Sequence, residues 1–333
     1  MPFKDFLGNL SVVQTLQHQL RVDRLPHALL FAGPAGVGKK TLALALAKAL
    51  NCLSTDLDFC DHCPSCRKIR EGFHPDVRTY APEGQFIKID QMRGFSREAF
   101  YRPFEGRTRV FILEQAERLT TEAANSILKT IEEPPETSTI VIVSDKPNDL
   151  LLTIRSRAQL YQFAPLSPDV IESWLAARKD YSFQDLALLA NVSGGALGKA
   201  LQIDVEEYKR IRQELMGLLE SCAVDFAYHK VAGIVEKITS RKESEKAQFE
   251  HRLEVLWGLL HDLFHLGVDE TSKIRNGDIK DRLGALSRRL SFSQVLSATE
   301  LLDQIELGAK RNLNRSLMVD RMVFGLGGLL TDE

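Results

Sequence analysis

The run Gly33-Pro34-Ala35-Gly36-Val37-Gly38-Lys39 restricts this chain more than any other feature. It follows the apolar stretch Leu29-Leu30-Phe31 and opens an Ala/Leu-rich helical stretch, Thr41 to Leu50. Strand, glycine loop and helix in that order are the setting in which a loop cradles phosphate. Glycines let the backbone curl so that several N–H groups point inward, and the helix N-terminus adds a positive dipole. Lys39 is placed to reach the β- and γ-phosphates. The next position calls for a Ser or Thr hydroxyl to bind magnesium, and Lys40 stands there instead. Thr41 is one residue out of register, about 100° around the helix from the metal position. The plainer alternative is a glycine-rich turn that binds nothing.

The second half of such a site departs from pattern too. Arg109-Val110-Phe111-Ile112-Leu113 reads as a buried strand whose end should carry Asp-Glu, and the residues there are Glu114-Gln115. Glu114 can still approach a metal from one methylene further out. Gln115 cannot act as a carboxylate base, although a glutamine orients the attacking water in some nucleotide hydrolases. Gly33, Gly36, Gly38, Lys39, Lys40 and Thr41 therefore read as a degenerate phosphate loop, with Glu114 and Gln115 as its degenerate partner motif. The expectation is a scaffold where ATP or ADP binds weakly or not at all, Mg2+ has little place, and hydrolysis is absent or severely weakened.

Four of the five cysteines cluster as Cys52, Cys60, Cys63 and Cys66. Paired C-x-x-C steps let adjacent thiolates converge on one tetrahedral metal, and Cys52 can complete the shell from the end of the preceding helix. Four thiolates leave no open position, so a zinc ion here is expected to be structural. It would pin an otherwise coreless loop, Asp56 to Arg67. Disulfides, disfavoured in a reducing compartment, or unligated thiols are the other readings. His62 lies inside the knuckle, where four sulfurs already suffice. Cys222 sits in an apolar helical stretch and reads as a small core residue.

A length of 333 residues implies two or three domains, and 44% hydrophobic content supplies a packed core. A net charge of −2 argues against a protein that grips nucleic acid over its whole surface. No run of eighteen apolar residues occurs, and the N-terminus lacks a secretory pattern, so the expected location is cytoplasmic. Leu29–Ala32, Val77–Tyr80, Val110–Leu113, Ile140–Ser144 and Leu160–Phe163 are strand candidates, alternating with helices such as Thr121–Glu133. That alternation implies an α/β fold: a parallel sheet covered by helices on both faces, with functional residues at the carboxyl ends of its strands. Beyond Pro165-Leu166-Ser167-Pro168 nearly everything reads helical. Asp169–Ala177, Phe183–Ala190 and Ala196–Gln202 form a small unit. Longer segments then follow at Val205–Cys222, Ala227–Ser240, Glu243–Phe264 and, with breaks, Phe292–Leu329. The expected divisions are 1–165, 166–204 and 205–333. Lys237–Glu250 reads as a solvated helix surface.

Leu128-Lys129-Thr130-Ile131-Glu132-Glu133-Pro134-Pro135, preceded by Ala124-Asn125, resembles the most distinctive segment of the bacterial clamp-loader subunits of the AAA+ class. The cysteine module after the phosphate-loop helix is similar to theirs as well. Ile154-Arg155-Ser156-Arg157-Ala158 resembles the family's Ser-Arg-Cys motif, with Ala158 in place of the cysteine. Asn312-Leu313-Asn314 and the apolar helix after it look like the end of the family's collar domain. The resemblance implies an AAA+ domain with a zinc insertion at about 52–66, a helical lid and a helical collar used for oligomerisation.

Within the family, motor-type (gamma/tau-like) subunits hydrolyse ATP and a stator-type subunit does not. The eroded site, His74-Pro75-Asp76 and Ile87-Lys88-Ile89-Asp90-Gln91-Met92-Arg93 look like the stator's versions. In the lid, Ser193-Gly194-Gly195-Ala196-Leu197-Gly198-Lys199 resembles the motif that carries a nucleotide-sensing arginine in motor subunits, and Gly198 stands at that position. The resemblance further implies that Arg157 projects in trans, as an arginine finger, into a neighbouring subunit's nucleotide site. Arg155 is a lesser candidate, and a surface arginine with only local contacts is the alternative for Arg157. The implied partners are gamma/tau and delta subunits in a ring of five, with the sliding clamp and primer–template DNA met through the complex. The chain carries no polymerase carboxylates of its own; a polymerase (nucleotidyltransferase) designation would come only through the holoenzyme. An ATP-hydrolysing motor-type subunit is the main competing expectation. A P-loop small-molecule kinase and a stand-alone zinc adaptor are the others.

Overall fold

Five short runs become the five strands of one sheet, the three central ones mostly apolar as a sheet covered on both faces demands. In the computed structural model, which describes residues 3–178, 181–224, 244–310 and 313–330, these strands are β1 (Ala28–Ala32), β2 (Val77–Tyr80), β3 (Arg109–Leu113), β4 (Ser138–Ser144) and β5 (Gln159–Gln162). Their order is β2-β3-β4-β1-β5, and every pairing is parallel. β1, β3 and β4 are buried along their whole length. The helices of this half are α1 (Leu10–Arg21), α2 (Lys39–Asn51), α3 (Pro64–Glu71), α4 (Ile89–Ala99), α5 (Thr121–Glu132) and α6 (Leu152–Arg155). Alternate strand residues feed two separate cores. Leu29 and Phe31 join the α1–α2–α3 side, while Leu30, Phe111 and Ile142 join the α4–α5 side. The helix-covered parallel sheet expected from the sequence is therefore present, and the architecture is that of the AAA+ class.

The remaining helices are α7 (Pro168–Ala176), α8 (Phe183–Val192), α9 (Leu197–Ala200), α10 (Val205–Val224), α11 (Ser244–Val268), α12 (Lys280–Ser287), α13 (Phe292–Lys310) and α14 (Arg315–Leu330). The chain divides into two compact units. One comprises Met1–Ser167 with Gly195–Lys199, and the other Pro168–Gly194 with Ala200–Glu333. In the second unit α11 packs on α10, α12 and α13, and α14 packs on α10 and α13. A buried polar network fixes this helical unit. The Asp262 carboxylate accepts from the backbone N–H groups of Arg275 and Asn276 and from the Asn276 amide. Tyr208 and Arg212 donate to the Asn276 carbonyl, and Arg212 pairs with Asp278. Cys222 is buried in the core of α10, where burial pushes its thiol up to about 12.

Several elements differ from the sequence expectation. Helices α1, α3, α4 and α12 are not assigned from the sequence, although α1, α3 and α4 are amphipathic; α1 begins at Asn9 in the left-handed region with no side-chain cap, and α3 is only eight residues long. The helix expected over Ala227–Ser240 lies outside the described residues, as do Glu243, Asn312 and part of Lys237–Glu250. The Asp56–Arg67 segment is not coreless. Phe59 is 3% exposed, stacks edge-on against Phe3 and lies with Ile69 in the main core.

Two buried side chains build the loop before β3. The Asp76 carboxylate accepts from the N–H groups of Phe104, Glu105 and Gly106. The Asn51 carboxamide accepts from Arg107 and Thr108 and donates to the Thr108 carbonyl. Burial works to raise the Asp76 pKa, but these N–H donors and Arg109 outweigh it and hold the carboxyl below its ordinary 3.8. A depressed folded-state pKa means that this stabilisation is complete above the unfolded value and fades as pH falls through the folded one. Asp76→Asn is expected to cost about 2 kcal/mol at neutral pH, since an NH2 group replaces one carboxylate oxygen and faces N–H donors that oxygen had accepted from. Urea unfolding at pH 7 and pH 3 tests this, with a smaller mutant deficit at pH 3.

Candidate functional site

The strand order places three loops side by side at the carboxyl edge of the sheet: the glycine loop after β1, Glu114-Gln115 after β3 and Asp145 after β4. The glycine loop has its curled form. Gly36 and Gly38 have φ of 79° and 97°, and a Cβ at Gly33 would fall 2.4 Å from the Phe163 carbonyl oxygen. Gly38 then caps α2 at Lys39.

What fills the cleft is the chain itself. The Lys39 side chain is 3% exposed; its ammonium donates to the Gly33 and Pro34 carbonyls and pairs with Asp145 at 2.7 Å. Lys40 pairs with Glu114 at 2.8 Å, so the residue after Lys39 sits against the carboxylate at the end of β3. Thr41 is exposed. Gln115 is also exposed, with its backbone in the left-handed region at φ 49°. Both lysines of the loop are thus neutralised internally. Asp145 escaped the sequence reading because it lies outside any motif, although its place just beyond a strand at the carboxyl edge was available as a signal.

The lid-like segment closes over the loop. Gly198 N–H donates to the Gly36 carbonyl at 3.0 Å, and a Cβ on Gly198 would meet that carbonyl oxygen at 3.2 Å. Ala196 and the Lys199 backbone lie against Gly36 as well. The absence of a side chain at Gly198 lets one backbone rest on another.

Cys52, Cys60, Cys63 and Cys66 bring their sulfurs within 4.8 Å of one another, so four cysteines are grouped as a metal requires. Cys52 is the last cap of α2, and Cys63 is the first cap of α3. The Cys52 and Cys60 sulfurs are 3.7 Å apart. That is the edge of a tetrahedron with Zn–S bonds of about 2.3 Å, and it is far beyond a disulfide bond. All four cysteines are free thiols. Burial works against the Cys60 thiolate, but the His62 and Cys63 N–H groups and the Ser54 side chain bring its pKa down to about 5. Burial and the neighbouring sulfurs push Cys66 the other way. A metal cation would stabilise all four as thiolates. His62 is exposed, its ring facing the Cys60 carbonyl at 2.7 Å, and is not among the grouped ligands.

Arg157 lies at the other edge of the sheet. It precedes β5, whose Gln159 is in register with Leu29 of β1, so it sits at the amino edge while the glycine loop leaves the carboxyl edge. Five strand residues separate the two levels, about 16 Å at ~3.3 Å per residue. Arg157 lines an open cleft of about 380 Å³ with Pro26, His27, Glu132, Pro134 and Gln159. Its guanidinium contacts Glu132 through both Nε and Nη2 at 3.3 Å. Ala158 is 9% exposed and packs into the sheet core, where the family's cysteine would sit. Arg155 is exposed on α6.

Residues 8–167 match the protein family described as "DNA polymerase III, delta subunit". The chain is 35% identical over 317 residues to the DNA polymerase III subunit delta' of Bacillus subtilis (strain 168), covering 94% of this chain and 93% of that one. It is 29% identical to the DNA polymerase III subunit tau/gamma of Haemophilus influenzae, over 94% of this chain but 47% of that protein. A DNA polymerase III gamma subunit-related protein from Thermotoga maritima superposes with a TM-score of 0.48 at 17% identity, covering 95% of this chain and 99% of that one. No helix among the described residues is long and apolar enough to cross a membrane. On its near full-length identity to a delta' protein, the chain belongs to the DNA polymerase III delta' family of clamp-loader subunits.

Proposed function

We propose that this chain is a stator: a clamp-loader subunit that does not turn over ATP itself and supplies Arg157 to the nucleotide site of an adjacent motor subunit. One observation carries it. Arg157 and the chain's own phosphate loop lie at opposite edges of the same sheet, about 16 Å apart along the strands. An arginine side chain cannot span that distance, so any phosphate it meets belongs to another chain. A guanidinium delivered there stabilises charge developing on the γ-phosphate.

The partners in this reading are gamma/tau and delta subunits, joined through the helical part over about 205–333, with a lid at 166–204 and the AAA+ domain at 1–165. The sliding clamp and primer–template DNA are met through the complex, in the cytoplasm. The Lys39–Asp145 and Lys40–Glu114 pairs favour the stator over a motor-type subunit, because a nucleotide would have to break both and Mg2+ would face an ammonium group.

In a reconstituted clamp loader, Arg157→Ala is expected to lower DNA-stimulated hydrolysis at the neighbouring site by about 10³-fold, with assembly unchanged and the isolated chain silent. Equal rates in wild-type and mutant complexes would leave only scaffolding, and hydrolysis by the isolated chain that Lys39→Ala abolishes would make it a motor.

The paired lysines generate a second expectation. The double variant Asp145→Asn/Lys40→Thr frees Lys39 and restores a hydroxyl, so it should bind a fluorescent ADP analogue more tightly than wild type. Equal binding by the two proteins would mean that the ion pairs are not what excludes nucleotide.

The four cysteines are assigned to one structural Zn2+. Purified protein should carry one zinc per chain, and Cys60→Ser should lose it and lower the unfolding midpoint. Ligand thiols must be deprotonated to bind, so metal is released as pH falls. A metal-free protein with unchanged unfolding would remove the structural role.

A further inference from the structure

Glu132 is the last helical residue of α5, immediately before Glu133-Pro134-Pro135 ends the helix. An acidic side chain in the last turn is disfavoured by the partial negative charge of the helix C-terminus. Some other interaction has to compensate, and the one present is with Arg157, 25 residues further along the chain.

The five N–H donors of a guanidinium lie in one plane. Glu132 takes the Nε/Nη2 edge of Arg157 with both carboxylate oxygens, at 3.3 Å each. Nη1 donates to the Thr153 carbonyl at 3.1 Å and lies 3.4 Å from the Ser156 hydroxyl. Three hydrogen bonds and the Nε contact are thus made within the chain, and the carboxylate occupies the Nε/Nη2 edge that an incoming phosphate would take. The group is nevertheless not sealed in. Arg157 is 34% exposed and Glu132 55% exposed, both at the mouth of the 380 Å³ cleft.

We propose that Glu132 is a positioning residue that parks Arg157 in the free subunit and yields it when a neighbour's nucleotide phosphate arrives. The proposal rests on the reading of Arg157 as a trans-acting group. An exposed arginine–carboxylate pair is weak in water, and a multiply charged phosphate held in a drier interface accepts the same fork more strongly. Release needs no rearrangement of the backbone: the Nε/Nη2 edge leaves one anion for another. Until then the carboxylate keeps the finger from stabilising a poorly formed interface. Glu132 thereby sets how completely the interface must assemble before hydrolysis starts.

The test uses the complete clamp loader containing wild-type chain, Glu132→Gln, Arg157→Ala or both, with ATP hydrolysis measured with and without primer–template DNA. Glu132→Gln keeps size and removes charge. It should raise the DNA-independent rate about two- to five-fold, the range that a weak exposed pair corresponds to. The DNA-stimulated rate and the unfolding midpoint of the chain should hardly move, so the ratio between the two rates narrows. Glu132→Asp, which keeps the charge, should fall between Gln and wild type. The double variant should match Arg157→Ala, because parking matters only if there is a finger to park. An unchanged or lowered basal rate in Glu132→Gln, with Arg157→Ala still inactive, overturns the parking role and leaves the finger standing. No effect of Arg157→Ala at unchanged assembly overturns both.

Discussion

The Lys39–Asp145 ion pair is the contact around which the cleft is organised. A phosphate loop concentrates positive potential from its backbone N–H groups, the α2 terminus and its lysine, and that potential needs an anion. Here a carboxylate from the end of β4 provides the anion, and the buried Lys39 meets the half-buried Asp145 at 2.7 Å. A partly buried pair is screened less than a surface one. The Lys40–Glu114 pair repeats the solution one residue on. With the field satisfied internally, the Gly195–Lys199 segment settles directly on the loop, and the Gly198 N–H reaches the Gly36 carbonyl. The cleft keeps the shape of a nucleotide site, while its charge is already matched by the chain.

The sheet turns this closed cleft into a two-ended object. All five strands are parallel, so everything at their carboxyl ends is remote from everything at their amino ends. The glycine loop occupies one end; Arg157, Glu132 and the open cleft occupy the other. In the proposed stator, the end that would do chemistry is shut and the end that would assist a neighbour is exposed. The cysteine module adds a fixed point on the α2–α3 side. Cys52 ends one helix and Cys63 begins the next, so a single ion bound there would hold both termini. Phe59 and Ile69 bring the same segment into the main core, so apolar packing holds the segment that carries the four grouped cysteines.

Much of this was legible in the chain. The strand runs are short, apolar and separated by turn residues, which only a buried parallel sheet rewards, and each of the five observed strands falls within two residues of its expected limits. The glycine loop, its departures at Lys40 and Gln115, and the four-cysteine spacing are local patterns, fixed by which residue follows which. α1, α3, α4 and α12 were not legible. They are short, and most helical stability in a protein comes from packing an amphipathic face and not from the segment itself, so their apolar spacing gains meaning only against the sheet or other helices. The core of the cysteine segment was missed for a similar reason, since Phe59 gains its meaning only from Phe3, far away in sequence.

The sequence by itself determined the fold class, the glycine loop and the grouping of four cysteines, because each depends on spacings of a few residues that backbone geometry converts directly into structure. Only the tertiary structure decided which charges meet. Lys39 and Asp145 are over a hundred positions apart, Lys40 and Glu114 more than seventy, and Glu132 and Arg157 twenty-five. Strand order puts β1, β3 and β4 side by side and sets Arg157 at the opposite edge, and neither fact can be read from neighbours in the chain. Electrostatic pairing falls off with distance in space, not along the sequence. Which of these lysines and carboxylates meet is therefore set by the sheet that brings them together.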